Sequence, residues 1–265
     1  KYRFETKVLN TPSNSSHKQI TVTSALRTGE FIALANRTAG LFDDLTSDEA
    51  DGVKQTHLIM QSLDKSLRSV GASLQDSIKL ESYYFGTSRK EWAPLAKARA
   101  DYFKEPGPPA TAIPYNDILL YGSKTKVGAL AMRELRNTYD KYIPREDSWP
   151  PRVWDWQLNL PWRQAQKLRG MVWLGGQVPA EPFSNTGKRM FPGELLPQTQ
   201  FTMSYVEDLL RPFNCKTSDI KLLVCYFQNS NDENIIGKML ELLRNCCGGV
   251  LPPLTLIPVP HMQTP

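Results

Sequence analysis

One seven-residue pattern that occurs twice constrains this chain more than any other feature. Pro-Pro-X-Thr-X-Ile-Pro runs over 108–114 and again over 252–258, 144 positions later. The variable position X is Ala110 in the first copy and Leu254 in the second. Solenoid repeats have periods of about 20–50 residues, so a single repeat at this distance predicts a duplicated domain.

Other matching residues keep nearly the same spacing along the two parts of the chain. Gln55 and Gln198 each open a long stripe of apolar residues at helical spacing, and Asp76 and Asp219 each precede an alternating strand. A chain of 265 residues is long enough for two domains of ordinary size. The predicted boundaries are 18–135 for a first unit, 136–161 for a connector and 162–265 for a second unit.

Hydrophobic periodicity predicts the order β-β-α-β-α-β-β for the first unit. The predicted elements are strands 19–28 and 30–39, helix 55–70, strand 78–85, helix 88–103, and strands 111–113 and 126–132. The second unit repeats this order with strands 164–168 and 171–178, helix 198–213, strand 220–226, helix 235–246 and the second Pro-Pro strand. It shows no counterpart of the strand at 126–132, so that strand either lies outside this sequence or is replaced by another segment. Residues 1–17 are predicted to be irregular. The expected fold class is α+β, with a mixed sheet and two helices on one face of each unit.

The third strand of the second unit is apolar on both faces. We assign four residues to the helix side, Ile220, Leu222, Val224 and Tyr226. Leu223, Cys225 and Phe227 are assigned to the opposite side. Helices cover only one face, so the other must meet another unit or another subunit. The sequence therefore predicts self-association.

Composition excludes several classes of protein. The net charge is +5 with acids and bases interspersed, which does not favour nucleic-acid binding. No apolar run approaches the roughly 20 residues of a membrane-spanning helix, and the first residues lack the apolar core of a signal peptide, so we expect a cytoplasmic protein. The four cysteines form no C-x-x-C pair and the three histidines are scattered, so we expect free thiols, no metal and no cofactor.

Several short motifs occur in a characteristic order. The second unit contains V-W-L-G-G-Q-V-P at 172–179 and P-G-E at 192–194, and the first contains G-A-S-L-Q-D-S-I-K at 71–79. Together with the Pro-Pro strands, they resemble the Rid/YjgF superfamily, also called endoribonuclease L-PSP-like proteins, which includes reactive-intermediate (enamine/imine) deaminases. The resemblance implies a chorismate-mutase-like fold in two tandem units, assembly as a homotrimer, and a cleft for a small molecule between units.

The same resemblance implies that the usual deaminase chemistry is absent. Deaminating members read Pro-X-Arg-Thr, and the arginine holds the substrate carboxylate. Ala110 and Leu254 occupy that position here, and the position of the family's last-strand glutamate falls near Gly128. A standard imine deaminase is therefore not expected.

The remaining candidates are residues that the resemblance places near a cleft. These ligand-binding candidates are Arg37, Thr111, Tyr115, Trp162, Gly175, Gly176, Gln177 and Thr255. Each has a structural alternative: Gly175 and Gly176 can serve close strand packing, Arg37 can be a solvated surface residue, and Trp162 can pack in the core.

Three functions remain open from the sequence. The chain can bind, and hydrolyse, a small carboxylate or imine-type metabolite between its units. It can be a non-catalytic binding or assembly module. It can also be a hydrolase like the chorismate-hydrolysing relatives, which carry the same tandem scaffold.

Overall fold

The computed structural model describes residues 2–8, 20–39, 51–115, 122–136, 139–228 and 232–262. Its first half, residues 2–136, contains β1 (Tyr2–Val8), β2 (Ile20–Thr28), β3 (Phe31–Leu34), β4 (Arg37–Thr38), α1 (Gly52–Arg68), β5 (Ser77–Tyr84), α2 (Arg89–Ala100), β6 (Ala110–Pro114), β7 (Thr125–Met132) and β8 (Glu134–Arg136). Among these residues β1 to β7 form one mixed sheet in the order β1-β2-β3-β7-β5-β6, with β4 also paired to β7. The α+β class predicted from the sequence is confirmed.

Local sequence signals explain where the first two helices begin. The Asp51 side chain accepts a 2.8 Å bond from Val53 N at the start of α1. Ser88 and Glu91 form a capping box at the start of α2, because the side chain of each residue accepts a hydrogen bond from the backbone amide of the other. In contrast, the prediction of an irregular N-terminus is wrong for β1, which pairs antiparallel with β2.

The second half, residues 139–262, repeats part of the first half's order. Its elements are β9 (Tyr139–Lys141), β10 (Glu146–Ser148), β11 (Ala165–Leu168), β12 (Met171–Leu174), α3 (Leu195–Leu210), β13 (Leu223–Gln228), α4 (Glu233–Cys246) and β14 (Leu254–Val259). Strands β10, β11 and β12 form one antiparallel sheet, and β13 pairs in parallel with β14. In the described residues no strand joins these two sheets, whereas β7 lies between β3 and β5 in the first half. That the halves are copies of one domain stays a prediction.

The two halves pack against each other through the faces of their sheets that the helices do not cover. Ile78 of β5 lies in one apolar cluster with Met171 and Trp173 of β12, and the Tyr83 and Tyr226 hydroxyls are 2.7 Å apart. Tyr226 therefore faces the first half and not the helices, so the sequence-based assignment of faces on β13 is reversed.

The helix side of β13 carries the other set of residues. Leu223, Cys225 and Phe227 pack in one cluster with residues of α3 and α4, such as Met203 and Met239. Alternation places residues on two faces, but when both faces are apolar it cannot say which one meets the helices.

The predicted connector at 136–161 is packed into the protein. Val153 and Trp154 are buried in a cluster with α3, and Trp154 and Trp156 stack edge to face at 5.5 Å. Strand β10 lies within this segment and pairs with β11. The segment thus contributes a strand and core residues to the second half.

Candidate functional site

The Pro-Pro strand of the first half meets the Gly-Gly-Gln segment of the second half. Gly176 N donates a 3.0 Å hydrogen bond to Ala110 O, and Gly175 N donates a 2.8 Å bond to Gln164 O. A Cβ added at Gly176 would lie 2.9 Å from Thr111 Cγ2. These glycines therefore permit a close approach of two backbones, which is the structural alternative given for them above.

Lys79 of β5 occupies the space beside this contact. Its Nζ donates 2.6 Å hydrogen bonds to Thr111 Oγ1 and to Leu174 O, so one side chain ties the two halves together. Burial lowers the pKa of the Lys79 amino group to about 8, and the nearby Glu81 carboxylate opposes that shift. The junction formed by Lys79, Thr111 and Gly176 is closed by direct contacts between the halves.

Three other predicted ligand residues lie away from this junction. Arg37 is buried, not solvated, and its Nη2 donates a 2.8 Å bond to Ser66 Oγ on α1. Trp162 is 2% exposed and packs edge to face on Phe103, which makes it a core residue. Thr255 lies on β14 and is exposed.

Two further predicted residues lie close to the boundary between the halves. Tyr115 N donates to Tyr84 O at 3.2 Å, and its ring packs beside Val259 of β14. Gln177 Nε2 donates to Gln164 Oε1 at 2.8 Å, and no described group donates to the buried Oε1 of Gln177.

A second polar group near the boundary was not identified as a site from the sequence. Arg99 of α2 is 3% exposed, and Tyr84 at the end of β5 is fully buried. Within the described residues, neither Arg99 Nη1 nor the Tyr84 hydroxyl has a hydrogen-bond partner. Arg189, from the loop before α3, lies close enough for its charge to act on Tyr84 together with that of Arg99. This group is named the arginine–tyrosine cluster below.

Burial controls the electrostatics of the arginine–tyrosine cluster. It lowers the pKa of Arg99 to about 10 and lowers the pKa of Arg189 as well. It raises the pKa of Tyr84, and Glu91 raises it further, while the two arginines oppose the shift. The phenol therefore remains a hydrogen-bond donor at neutral pH.

Glu91, the carboxylate whose charge acts on Tyr84, is hydrogen-bonded at the start of its own helix. Glu91 accepts a 3.0 Å bond from Ser88 N and also bonds the Ser88 hydroxyl, at the exposed start of α2. Among the described residues, no acidic side chain forms an ion pair with Arg99. The cluster is thus a set of donors, from both halves, suited to a negatively charged group.

A sequence signal for Arg99 does exist. Trp92, Leu95, Ala96 and Phe103 form the apolar stripe of the predicted second helix, and Arg99 lies on the same stripe. A charged residue on a buried face needs a partner, and such a residue is a candidate for function.

The described residues contain no group of three or more His, Cys, Asp or Glu side chains placed to hold a metal ion. No helix in the same residues is both long enough and apolar enough to cross a membrane. All four cysteines are free thiols.

No protein-family model and no curated protein matches the sequence. Solved structures of Rid/YjgF-type proteins resemble about half of this chain. RidA from the Antarctic bacterium Psychrobacter sp. is 15% identical with a TM-score of 0.38, and the match covers 47% of this chain and 97% of RidA. A YjgF-family protein from Mycobacterium tuberculosis is 20% identical with a TM-score of 0.36, covering 42% and 86%. Yeast Mmf1 is 16% identical with a TM-score of 0.38, covering 50% and 100%.

Proposed function

We propose that this chain binds a small anionic metabolite, of the carboxylate class, between its two halves. The observation that carries the proposal is the pair of buried donors without partners, Arg99 Nη1 and the Tyr84 hydroxyl. Arg189 adds a second guanidinium from the other half. The ligand would therefore contact both halves at once.

The energetics favour a charged ligand over an apolar one. Leaving a buried donor unsatisfied costs about 1–3 kcal/mol, and more if the group is charged. A carboxylate can accept two parallel bonds from one guanidinium and a further bond from a phenol. Binding would thus remove a cost that the folded chain carries in the ligand-free state.

The first test compares Arg99→Met with Lys97→Met, an exposed position on the same helix. We expect pyruvate to stabilise the unmodified chain and Lys97→Met in a thermal-shift titration, and to have no effect on Arg99→Met. Without pyruvate, Arg99→Met is expected to be at least as stable as the unmodified chain, because an unpaired buried charge has been removed. Equal stabilisation of all three proteins by pyruvate would rule out this site.

Hydrolysis is a separate part of the proposal and needs its own measurement. Ammonia release from freshly generated 2-iminopropionate, present with Lys97→Met and absent with Arg99→Met, would support an imine-hydrolysing enzyme. Carboxylate binding without ammonia release would mean that the chain binds the carboxylate but does not hydrolyse this imine.

A non-catalytic assembly role is the second candidate. It is favoured by the closed junction, where Thr111 accepts a bond from Lys79 and Gly176 donates one to Ala110. Absence of both pyruvate binding and ammonia release would leave assembly as the better account. Assembly as a homotrimer is part of the same proposal.

A further inference from the structure

We propose that Trp92 determines the specificity of the arginine–tyrosine cluster, and that the ligand is an acid with a hydrogen-bond acceptor on the carbon next to its carboxylate. Glycolate and pyruvate belong to this class, whereas acetate and glycine do not. The inference rests on the proposed function, because it takes Arg99 and Tyr84 as the groups that hold the carboxylate. It adds a residue that contacts the neighbouring part of the ligand.

Trp92 carries a third buried donor without a partner in the first half. Its side chain is 8% exposed, and no group in the described ranges accepts a hydrogen bond from its buried Nε1. An indole nitrogen can donate a hydrogen bond but cannot accept one. A ligand atom that accepts this bond would therefore recover the free energy that the unpaired donor costs.

Trp92 and Arg99 lie on the same buried side of α2. Trp92 is the fourth residue of the helix, and Arg99 follows seven positions later, about 10 Å along the helix axis. Both side chains are buried. Side chains of a helix lean toward its N-terminus, so the long side chain of Arg99 extends back toward Trp92.

Tyr84 connects the two ends of this stripe. It packs in the same core cluster as Trp92, and it is the last residue of β5, directly before the short link to α2. The charges of both Glu91 and Arg99 act on the Tyr84 phenol. Because Glu91 immediately precedes Trp92, the phenol lies between the first turn of α2 and the Arg99 guanidinium. We infer that the three unpaired donors face one small region of the core.

The donors in this region select the group beside the carboxylate. A carboxylate bound by Arg99 and Tyr84 leaves the Trp92 donor for the adjacent carbon, where a hydroxyl or carbonyl oxygen can accept its bond. An ammonium at that carbon has no lone pair to offer, and the Arg99 charge repels it. The Glu91 carboxylate is already bonded to Ser88 N and to the Ser88 hydroxyl. The site therefore favours 2-hydroxy and 2-oxo acids over plain acids, and rejects amino acids.

Three two-carbon acids test this order on the unmodified chain. Acetate, glycolate and glycine differ only in the hydrogen, hydroxyl or ammonium group on the carbon next to the carboxylate. In thermal-shift titrations we expect glycolate to bind about five- to tenfold more tightly than acetate, the effect of one hydrogen bond to a buried donor. Glycine should give no stabilisation. This comparison does not depend on whether a variant folds.

Trp92→Phe and Trp154→Phe are the matched variants. Trp154 is also 8% exposed and its Nε1 also lacks a partner in the described part of the chain, but it packs in the second half against α3. Trp92→Phe should bind acetate as the unmodified chain does and lose the preference for glycolate. Trp154→Phe should keep that preference. A loss of packing alone would change the affinity for both acids by the same factor.

The indole N–H signals in a proton–nitrogen correlation spectrum give a direct readout. The signal that is missing from Trp92→Phe should move when glycolate is added to the unmodified chain, and should stay in place with acetate. Movement of another indole signal, or a glycolate preference that Trp92→Phe retains, would overturn the role of Trp92.

The same titrations separate this inference from the proposed function. If acetate and glycolate stabilise the unmodified chain with equal affinity, the specificity inference is wrong and the carboxylate site stands. If acetate, glycolate and pyruvate all fail to stabilise the chain, both are wrong.

Discussion

Lys79 is a cation enclosed where the two halves meet. Its bonds to Thr111 and Leu174 hold the ammonium in place, while burial lowers its pKa from 10.5 to about 8. The folded chain therefore binds fewer protons at this group than the unfolded chain does between these two pH values. The stability that Lys79 contributes should therefore be full above the unfolded pKa. It should be lost as the pH falls to the folded pKa.

The variant Lys79→Met separates this effect from other titrations. We expect the free energy of unfolding of the unmodified chain, relative to Lys79→Met, to increase as the pH rises from about 8 to about 10.5. Urea unfolding at several pH values measures it. Lys97→Met, at an exposed position, is the control, and its difference from the unmodified chain should not change over the same interval. A pH-independent difference for Lys79→Met would contradict the assigned shift.

The positions of three arginines were predictable from the sequence to different degrees. The apolar stripe of the second helix predicted that Arg99 faces inward, and the structure agrees. The approach of Arg189 to Tyr84 depends on how a loop of the second half lies against the first, and no local pattern encodes that. Arg37 was a ligand-binding candidate with a solvated surface position as its alternative, yet it is buried and bonds Ser66 on α1.

At the level of elements, the close approach between β6 and the segment that follows β12 depends on one glycine. Gly176 lies against Thr111, and an added Cβ would lie 2.9 Å from Thr111 Cγ2 and 3.1 Å from its Oγ1. These are atoms of a β-branched side chain that has little freedom to move. Either strand would therefore have to shift to admit a larger residue.

Gly176→Ala is expected to lower the free energy of unfolding by about 1–3 kcal/mol, the usual cost of overpacking. Gly237→Ala is the opposite case, because nothing lies within 4 Å of a Cβ added inside α4. That change should stabilise the chain by about 0.5–1 kcal/mol through helix propensity. Chemical denaturation measures the free energy of unfolding of both variants. If Gly176→Ala leaves that free energy unchanged, the contact between Gly176 and Thr111 is looser than described.

Helices and strands were predictable to different degrees. The ends of the four helices were predicted to within three residues, because apolar spacing and capping residues such as Ser88 act locally. Strand β1 was missed although Tyr2, Phe4 and Val8 alternate with Arg3, Glu5 and Lys7, which is the pattern of a strand with one apolar face. The two faces of β13 were interchanged, because both are apolar and their partners lie elsewhere in the chain.

At the scale of the whole molecule, the sequence predicted that another unit or subunit contacts the face of β13 away from the helices. The first half of the same chain makes part of this contact. Tyr83 of β5 and Tyr226 of β13 meet there with their hydroxyls 2.7 Å apart and their rings edge to face at 6.3 Å. Burial raises the pKa of both phenols, so both stay protonated at neutral pH. The prediction of a homotrimer concerns contacts beyond this one.

If the two halves are coupled through this pair, replacing both tyrosines should cost less than the sum of the single changes. Tyr83→Phe and Tyr226→Phe each leave one hydroxyl without its partner, at about 1–2 kcal/mol, whereas the double variant leaves none unpaired. We expect a coupling energy of about 0.5–1.5 kcal/mol from urea unfolding of all four proteins. Tyr205→Phe with Tyr83→Phe is the control, because Tyr205 donates to Ala180 O inside the second half. For that control pair, the changes in the free energy of unfolding should add to within about 0.5 kcal/mol. If the Tyr83 and Tyr226 changes add equally well, this contact does not couple the stability of the two halves.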